Sequence, residues 1–399
     1  MCALPAFDLE YFVNREKELA YITEKVARLA RGDPFAPHER VTHFIGPSGI
    51  GKSWLLEKCY VIVDNMPKCI PILLTLKTFR NGDENFVEDI LANVDKNFSV
   101  YLGIPAGHRN RSLQAFGSDI LKKINVRMQD QVLVLFLDEI NVPEIGELHA
   151  IEETLLQDLL HGNERVILIT AGRSYPMLND FALRPNTTNT FLLSAFDEKT
   201  TAEQLERLKP GSAAVASDVV ELSAGVPRNN TKLTGHVVGN PPNIPNKLAA
   251  VQSLLTDIKR GIEERFHPVV ETICILLGFM PEDVWPLIET HPALVKKWDD
   301  SLFRKSFPEL RQVQIGPGSL IHWEREKKHW VMDEPTRLLF ERELRLRDED
   351  LWRKLQATAY RMYKKWGKEY NSQSYKDKAA YHQQCLRAAG YDLGNEGEP

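Results

Sequence analysis

The chain has 399 residues, 43% of them apolar and 26% charged, with a formal net charge of −5. That length predicts two or three domains with ample core, and the mild acidity excludes a global field that would attract nucleic acid. No apolar run approaches the roughly 18 residues of a membrane span, and no basic flank precedes an apolar N-terminal stretch, so neither a membrane segment nor a leader is expected. Five cysteines, Cys2, Cys59, Cys69, Cys274 and Cys385, form no Cys-x-x-Cys pair and no zinc pattern. Reduced thiols and a cytoplasmic location are the expectation.

In chain order, Tyr11-Phe12-Val13-Asn14-Arg15-Glu16 precedes a helical pattern carried by Leu19, Ile22, Val26 and Leu29, with Asn14 as the expected cap. A buried strand, Val41 to Ile45, leads into Gly46-Pro47-Ser48-Gly49-Ile50-Gly51-Lys52-Ser53, and Trp54-Leu55-Leu56 then opens a helix. Gly, four residues, then Gly-Lys-Ser is the phosphate-loop pattern. Glycines let backbone N–H groups curl around a phosphate, and the following helix adds its positive end. Lys52 is placed to reach the β- and γ-phosphates, and Ser53 to put its hydroxyl on Mg²⁺.

Ile70 to Leu76 reads as a second strand, with helices around 84–99 and 112–128 after it. Val132 to Leu137 is the most apolar run and suits a central parallel strand ending in Asp138-Glu139. Asp138 is the expected metal acid, and Glu139 the expected general base on the attacking water. A helix fits 150–160. Val166 to Thr170 forms a fourth strand, followed by Ala171-Gly172-Arg173, and Thr190 to Leu193 a short fifth. Thr170 is placed to touch the γ-phosphate or the water, and Arg173 to neutralise transition-state charge. Arg184 is a weaker candidate for an arginine supplied to a neighbouring subunit. Strands alternating with helices predict an α/β fold, a parallel sheet with helices on both faces and ligands at the strands' carboxyl ends.

Beyond Phe196 the composition turns helical, around 201–208 and 217–224, with Gly225-Val226-Pro227-Arg228 between helices. Asn240 to Asn246 reads as a linker. Helices over 247–265 and 268–278 follow, then short helices and a hairpin. Its arms are Leu320-Ile321-His322-Trp323 and His329-Trp330-Val331-Met332, and Glu324, Arg325, Glu326, Lys327 and Lys328 form its turn. Three helices and a hairpin predict a winged helix. Residues 349–390 read as a helical hairpin with a frayed tail beyond. The expected domains are 1–196 (nucleotide-binding core), 197–246 (helical lid and linker), 247–345 (winged helix) and 346–399 (C-terminal helices).

Phe12 to Glu16, Gly46 to Ser53, Leu137 to Glu139, Thr170 to Arg173 and Gly225 to Pro227 occur in the order seen in signal-transducing STAND ATPases. The chain resembles their NB-ARC, NACHT and archaeal groups within the AAA+ class, and origin-recognition ATPases share much of the plan. Asn14 stands where many relatives carry glycine, and Arg228 where many carry leucine. The resemblance implies a P-loop NTPase core that binds ATP or ADP with Mg²⁺ and hydrolyses ATP. It further implies Arg15 and Glu16 beside adenine, Pro227 capping the nucleotide from a lid, and Arg228 as a lid arginine. The function it implies is a regulatory switch acting on a protein partner, an effector or sensor on another chain, with a homo-oligomer as a further expectation. The alternative is a DNA-binding AAA+ ATPase of the initiator or transposition-regulator type. Residues 296–390 hold 21 Lys and Arg against 14 Asp and Glu, so that part is locally basic.

Overall fold

The computed structural model describes residues 8–79, 85–102, 112–127, 130–315, 318–324 and 327–391. Cys2, Arg325 and Glu326 of the hairpin turn, and the tail beyond Tyr391 lie outside them. The chain divides into two compact units that meet between Phe196 and Asp197.

The first unit runs α1 (Glu16–Arg31), β1 (Val41–Ile45), α2 (Lys52–Asp64), β2 (Cys69–Thr75), α3 (Phe86–Leu102), α4 (Leu113–Arg127) and β3 (Val132–Asp138). It continues with α5 (Ile145–Ile151), α6 (Gln157–Gly162), β4 (Val166–Gly172) and β5 (Thr190–Leu192). The five strands form one parallel sheet in the order β2-β3-β4-β1-β5. β1, β3 and β4 are buried at every position, and Val132 to Leu137 of β3 accordingly reads as an unbroken apolar run. Side-chain alternation divides the core. Phe44, Val132, Val134, Phe136, Ile169 and Ala171 pack with Ile22, Val26, Leu55 and Leu56 of α1 and α2. Val41, Leu133, Leu135, Leu137 and Leu168 pack with the helices of the opposite face. The helix expected at 150–160 spans α5 and α6, joined without a break by a π-turn over Glu152–Leu156. Glu152 is fully buried, and its carboxylate accepts the backbone N–H groups of Asn179 and Asp180.

The second unit starts with α7 (Glu198–Leu208), α8 (Ala216–Ser223), α9 (Pro227–Leu233) and α10 (Lys247–Arg260). Asn246 belongs to the last of these as its cap, accepting from Ala249 N–H at 2.9 Å. Then come α11 (His267–Ile273), α12 (Pro281–Thr290), α13 (Asp300–Gln312), the two-residue β6 (Gln314–Ile315) and β7 (Gly318–Ser319), β8 (Ile321–Glu324), β9 (His329–Met332) and α14 (Glu334–Arg347). α10 stops at Arg260, short of the expected 265. α11 stops at Ile273 because Phe279 is drawn into a backbone bridge with Trp330, its N–H donating at 2.8 Å and its carbonyl accepting at 2.9 Å. Helix, bridge, two helices and an antiparallel hairpin give the element order of a winged helix. Trp323 pairs directly with Trp330 across the hairpin, ring centroids 5.2 Å apart. α15 (Glu349–Glu369) and α16 (Gln373–Ala388) form the expected helical hairpin. It packs through Tyr363, which stacks on Tyr375 and His382 and donates to Asp283 at 3.2 Å.

Among the described residues no helix is long and apolar enough to cross a membrane.

Candidate functional site

β1 delivers the chain to a sharp loop. Gly46 has no room for a side chain: a Cβ there would meet Ile50 Cγ2 and Leu193 O, each at 3.1 Å. Gly49 and Gly51 take left-handed backbone, with φ of 80° and 97°, which glycine adopts without steric cost. Gly51 caps α2, so the helix begins on Lys52. Pro47, Ser48 and Ile50 complete the loop, and Trp54 lies half-buried in the first turn of α2. The Lys52 ammonium is buried and folds back over the loop, donating to the carbonyls of Gly46 at 2.7 Å and Pro47 at 2.9 Å.

Asp138 ends β3 on the α2 face of the sheet and accepts hydrogen bonds from Ser53 and from the Glu139 N–H, the latter at 2.9 Å. Burial raises its carboxyl pKa, while these two bonds and the Lys52 charge pull it back. Glu139 has left-handed backbone at φ 57°, a conformation that costs a non-glycine residue energy and is often kept at working sites. Its Oε2 is buried with no hydrogen-bond partner among the described residues. Burial and the neighbouring Asp138 raise its pKa, and Lys77, Arg173 and Lys52 oppose them. Arg173 is half-buried beyond β4, its N–H held at 2.8 Å by the Asn141 side-chain oxygen. Lys52, Ser53, Asp138, Glu139 and Arg173 are thus brought together.

Sequence reasoning passed over two neighbours. Glu57 lies one helical turn after Ser53 and close enough to Asp138 that burial, then that charge, raises its carboxyl pKa. The four-residue spacing from Ser53 was the available signal. Asn141, three residues past Asp138, was legible only once its hold on Arg173 was seen.

One expectation is corrected, and the structure locates the remaining candidates. Asn14 does not cap α1; its side-chain oxygen accepts the next residue's N–H at 2.6 Å, and Arg15, left-handed at φ 73°, occupies the cap position. Arg15 is buried and turns inward. It donates to Ile50 O at 3.2 Å and Ser194 O at 2.7 Å and lies 5.3 Å from the centre of the Phe196 ring, while Glu16 is exposed. Arg15 therefore straps the loop from behind. Thr170 is 1% exposed, and its hydroxyl bonds His43 Nδ1 at 2.7 Å on the sheet face opposite α1 and α2. β4 runs two residues further than expected, to Gly172, so Thr170 lies inside the strand and not at its mouth. Arg184 is exposed, with Nε donating to Leu178 O at 3.0 Å.

Pro227 and Arg228 open α9 in the second unit. Pro227 is buried, its carbonyl accepting from Gln204 and Thr231, and Arg228 is exposed.

The residues at the loop fit a nucleotide with Mg²⁺: a left-handed glycine loop, a lysine on main-chain oxygens, a hydroxyl paired to a carboxylate, and an orphaned carboxylate oxygen beside them. Among the described residues no group of three or more His, Cys, Asp or Glu is arranged to hold a metal.

No protein-family model matches the chain, and no curated protein matches its sequence. Solved structures do. A Walker-type ATPase of Pyrococcus abyssi superposes with a TM-score of 0.50 at 16% identity, over 85% of this chain and 98% of that one. Cdc6p from Pyrobaculum aerophilum gives 0.42 at 14%, over 88% and 97%. A signal transduction ATPase with numerous domains and a tetratricopeptide repeat sensor, from Pyrococcus horikoshii, gives 0.35 at 13%, over 96% and 50%. The first of these likenesses, with the parallel sheet and its loop, assigns the fold: the chain has the fold of a Walker-type P-loop ATPase.

Proposed function

We propose that this chain is an ATP-binding and ATP-hydrolysing regulatory switch that controls the assembly or activity of a partner protein. The observation that carries the reading is the convergence of the Ser53–Asp138 pair and the unpartnered Glu139 oxygen on the glycine loop. Backbone N–H groups of the loop bind the β-phosphate, and Lys52 leaves its carbonyl partners for the β- and γ-phosphate oxygens. Ser53 and Asp138 would hold Mg²⁺, which would supply charge neutralisation across those phosphates. Glu139 takes the proton of the attacking water. Its raised pKa makes it a stronger base, and the nearby cations oppose that rise. Arg173 neutralises charge as it develops on the γ-phosphate.

The remaining assignments follow the resemblance. Residues 197–246 would act as a lid carrying Pro227 and Arg228, 247–345 as a winged helix, and 346–399 as C-terminal helices. Switching requires that ATP bind one domain arrangement more tightly than another. Light scattering of Glu139→Gln with ATP, and separately with ADP, tests this. The switch reading expects the two nucleotides to give different assemblies or different partner binding. Identical behaviour in both would leave an ATPase without a switch.

The DNA-acting alternative would place its contacts on the winged helix at Lys296, Lys297, Arg304 and Lys305. Arg304 is already committed to Asp300 at 2.8 Å and Glu282 at 3.1 Å, and Lys327 of the hairpin turn to Glu324 at 3.1 Å. Trp298 is buried against Phe266 and Phe303. These features favour a winged helix that docks on protein.

A further inference from the structure

We propose that the outer face of α15 is a docking surface for the phosphate backbone of duplex nucleic acid. Between Asp350 and Glu369 this helix contains six Lys and Arg and no acidic residue. Lys354, Arg361, Lys364, Lys365 and Lys368 are all exposed. At 100° per residue they fall within about a third of the helix circumference and run for about 21 Å along it. The opposite side is fully used: Leu351, Trp352, Leu355, Ala359, Met362 and Tyr363 are buried.

Elsewhere in the second unit several surface cations are paired with carboxylates, while Lys296, Lys297 and Lys305 are exposed but form no comparable row. Arg265 pairs with Glu263 and Glu309, Arg304 with Asp300 and Glu282, and Lys247 with Asp218 and Glu221. Among the described residues, Lys354, Lys364, Lys365 and Lys368 have no carboxylate at ion-pair distance. A straight row of uncompensated cations is complementary to a regular polyanion.

The other anionic surfaces fit less well. A membrane-binding helix needs a free apolar face, and α15 has spent its own in the core. Single strands are held by aromatic platforms, but the Tyr360 ring is covered by Lys364, whose ammonium lies 5.4 Å from its centre. The stripe carries no side-chain pattern for reading bases, so the binding is sequence-independent. The inference does not rest on nucleotide hydrolysis by the first unit.

The test is fluorescence anisotropy with a labelled duplex of random sequence, titrated with the full chain between about 50 and 200 mM salt. Wild type should bind at low salt. Lys354→Gln/Lys364→Gln/Lys365→Gln/Lys368→Gln should bind at least about tenfold more weakly, and its slope of log K against log salt should be shallower by roughly 0.9 for each phosphate it no longer neutralises. Lys296→Gln/Lys297→Gln/Lys305→Gln, on the winged helix, should bind like wild type. Because the four stripe side chains are exposed, thermal melting should not move, and the milder Lys364→Gln/Lys365→Gln pair should give an intermediate loss. Wild-type affinity in the fourfold variant overturns the proposal. So does competition by polyglutamate, anionic vesicles or single strands as effective as by unlabelled duplex, and so does an absence of binding by the wild type.

Discussion

Arg15 donates from its guanidinium to the carbonyl oxygen of Ile50 at 3.2 Å, so the residue before α1 holds the phosphate loop from behind. The same nitrogen reaches Ser194 O at 2.7 Å, past the end of β5. One buried cation thus ties two main-chain segments at the sheet's ligand-binding edge. Arg15→Met keeps much of the packing and removes both bonds. Loss of hydrogen bonds from a charged, buried group costs about 1.5–3 kcal/mol each, and these share one side chain. We expect lower thermal stability and weaker ATP binding together. Calorimetry and a melting curve check this, and wild-type values in both would show that the strap is idle.

Thr170 provides a sharper contrast between a structural and a catalytic role. Thr170→Val leaves His43 Nδ1 without its partner in a buried site, where an unmade hydrogen bond costs about 1–3 kcal/mol. The expected outcome is a lower melting temperature with a hydrolysis rate near wild type. A rate collapse with unchanged stability would return Thr170 to the reacting set.

The same residue shows where the sequence was legible and where it was not. The strands were plain because parallel strands buried on both faces are mostly apolar, as in Val132 to Leu137. The phosphate loop was plain because its glycines and lysine have a fixed spacing. Thr170 was misplaced because a shift in where β4 ends changes which residue stands at its mouth, and apolar content does not mark that point. Arg15 was read from a resemblance as a base contact, while its inward turn follows from a left-handed backbone that no periodicity reveals. The Phe279–Trp330 bridge was missed because a single residue has no period.

Asp138 carries a buried carboxyl whose pKa burial has raised. Its folded state therefore holds the proton more tightly than the unfolded state does. The stability this contributes is full below the ordinary carboxylate pKa and is lost as pH rises through the folded value. Asp138→Asn keeps an acceptor for the Ser53 and Glu139 donors and removes the charge. At neutral pH without nucleotide we expect it to melt higher than wild type, a gain of roughly 0.5–2 kcal/mol, the scale on which relieved functional sites stabilise. At acid pH the difference should vanish, and Mg²⁺-dependent ATP binding should weaken. A destabilised variant at neutral pH would contradict this account of the site.

Arg173 stands close enough to Glu139 for its charge to oppose the rise of that carboxyl's pKa. If it acts within its own chain, Arg173→Ala should lose roughly 10²–10³-fold in turnover, the effect of removing one transition-state donor. Mixing it with Lys52→Ala protein should then restore nothing. Recovery in the mixture would place the arginine on a neighbour's substrate, and unchanged turnover would make it a surface cation.

The central claim is that the glycine loop binds ATP and Glu139 activates the water that cleaves it. Single-turnover hydrolysis by Glu139→Gln, measured beside its Mg-ATP affinity, tests this most directly. Glutamine keeps the shape and cannot take the proton. The account predicts wild-type affinity with turnover lower by about 10²-fold or more, and loss of binding itself in Lys52→Ala. Hydrolysis at the wild-type rate in Glu139→Gln, or unchanged Mg-ATP affinity in Lys52→Ala, would contradict it.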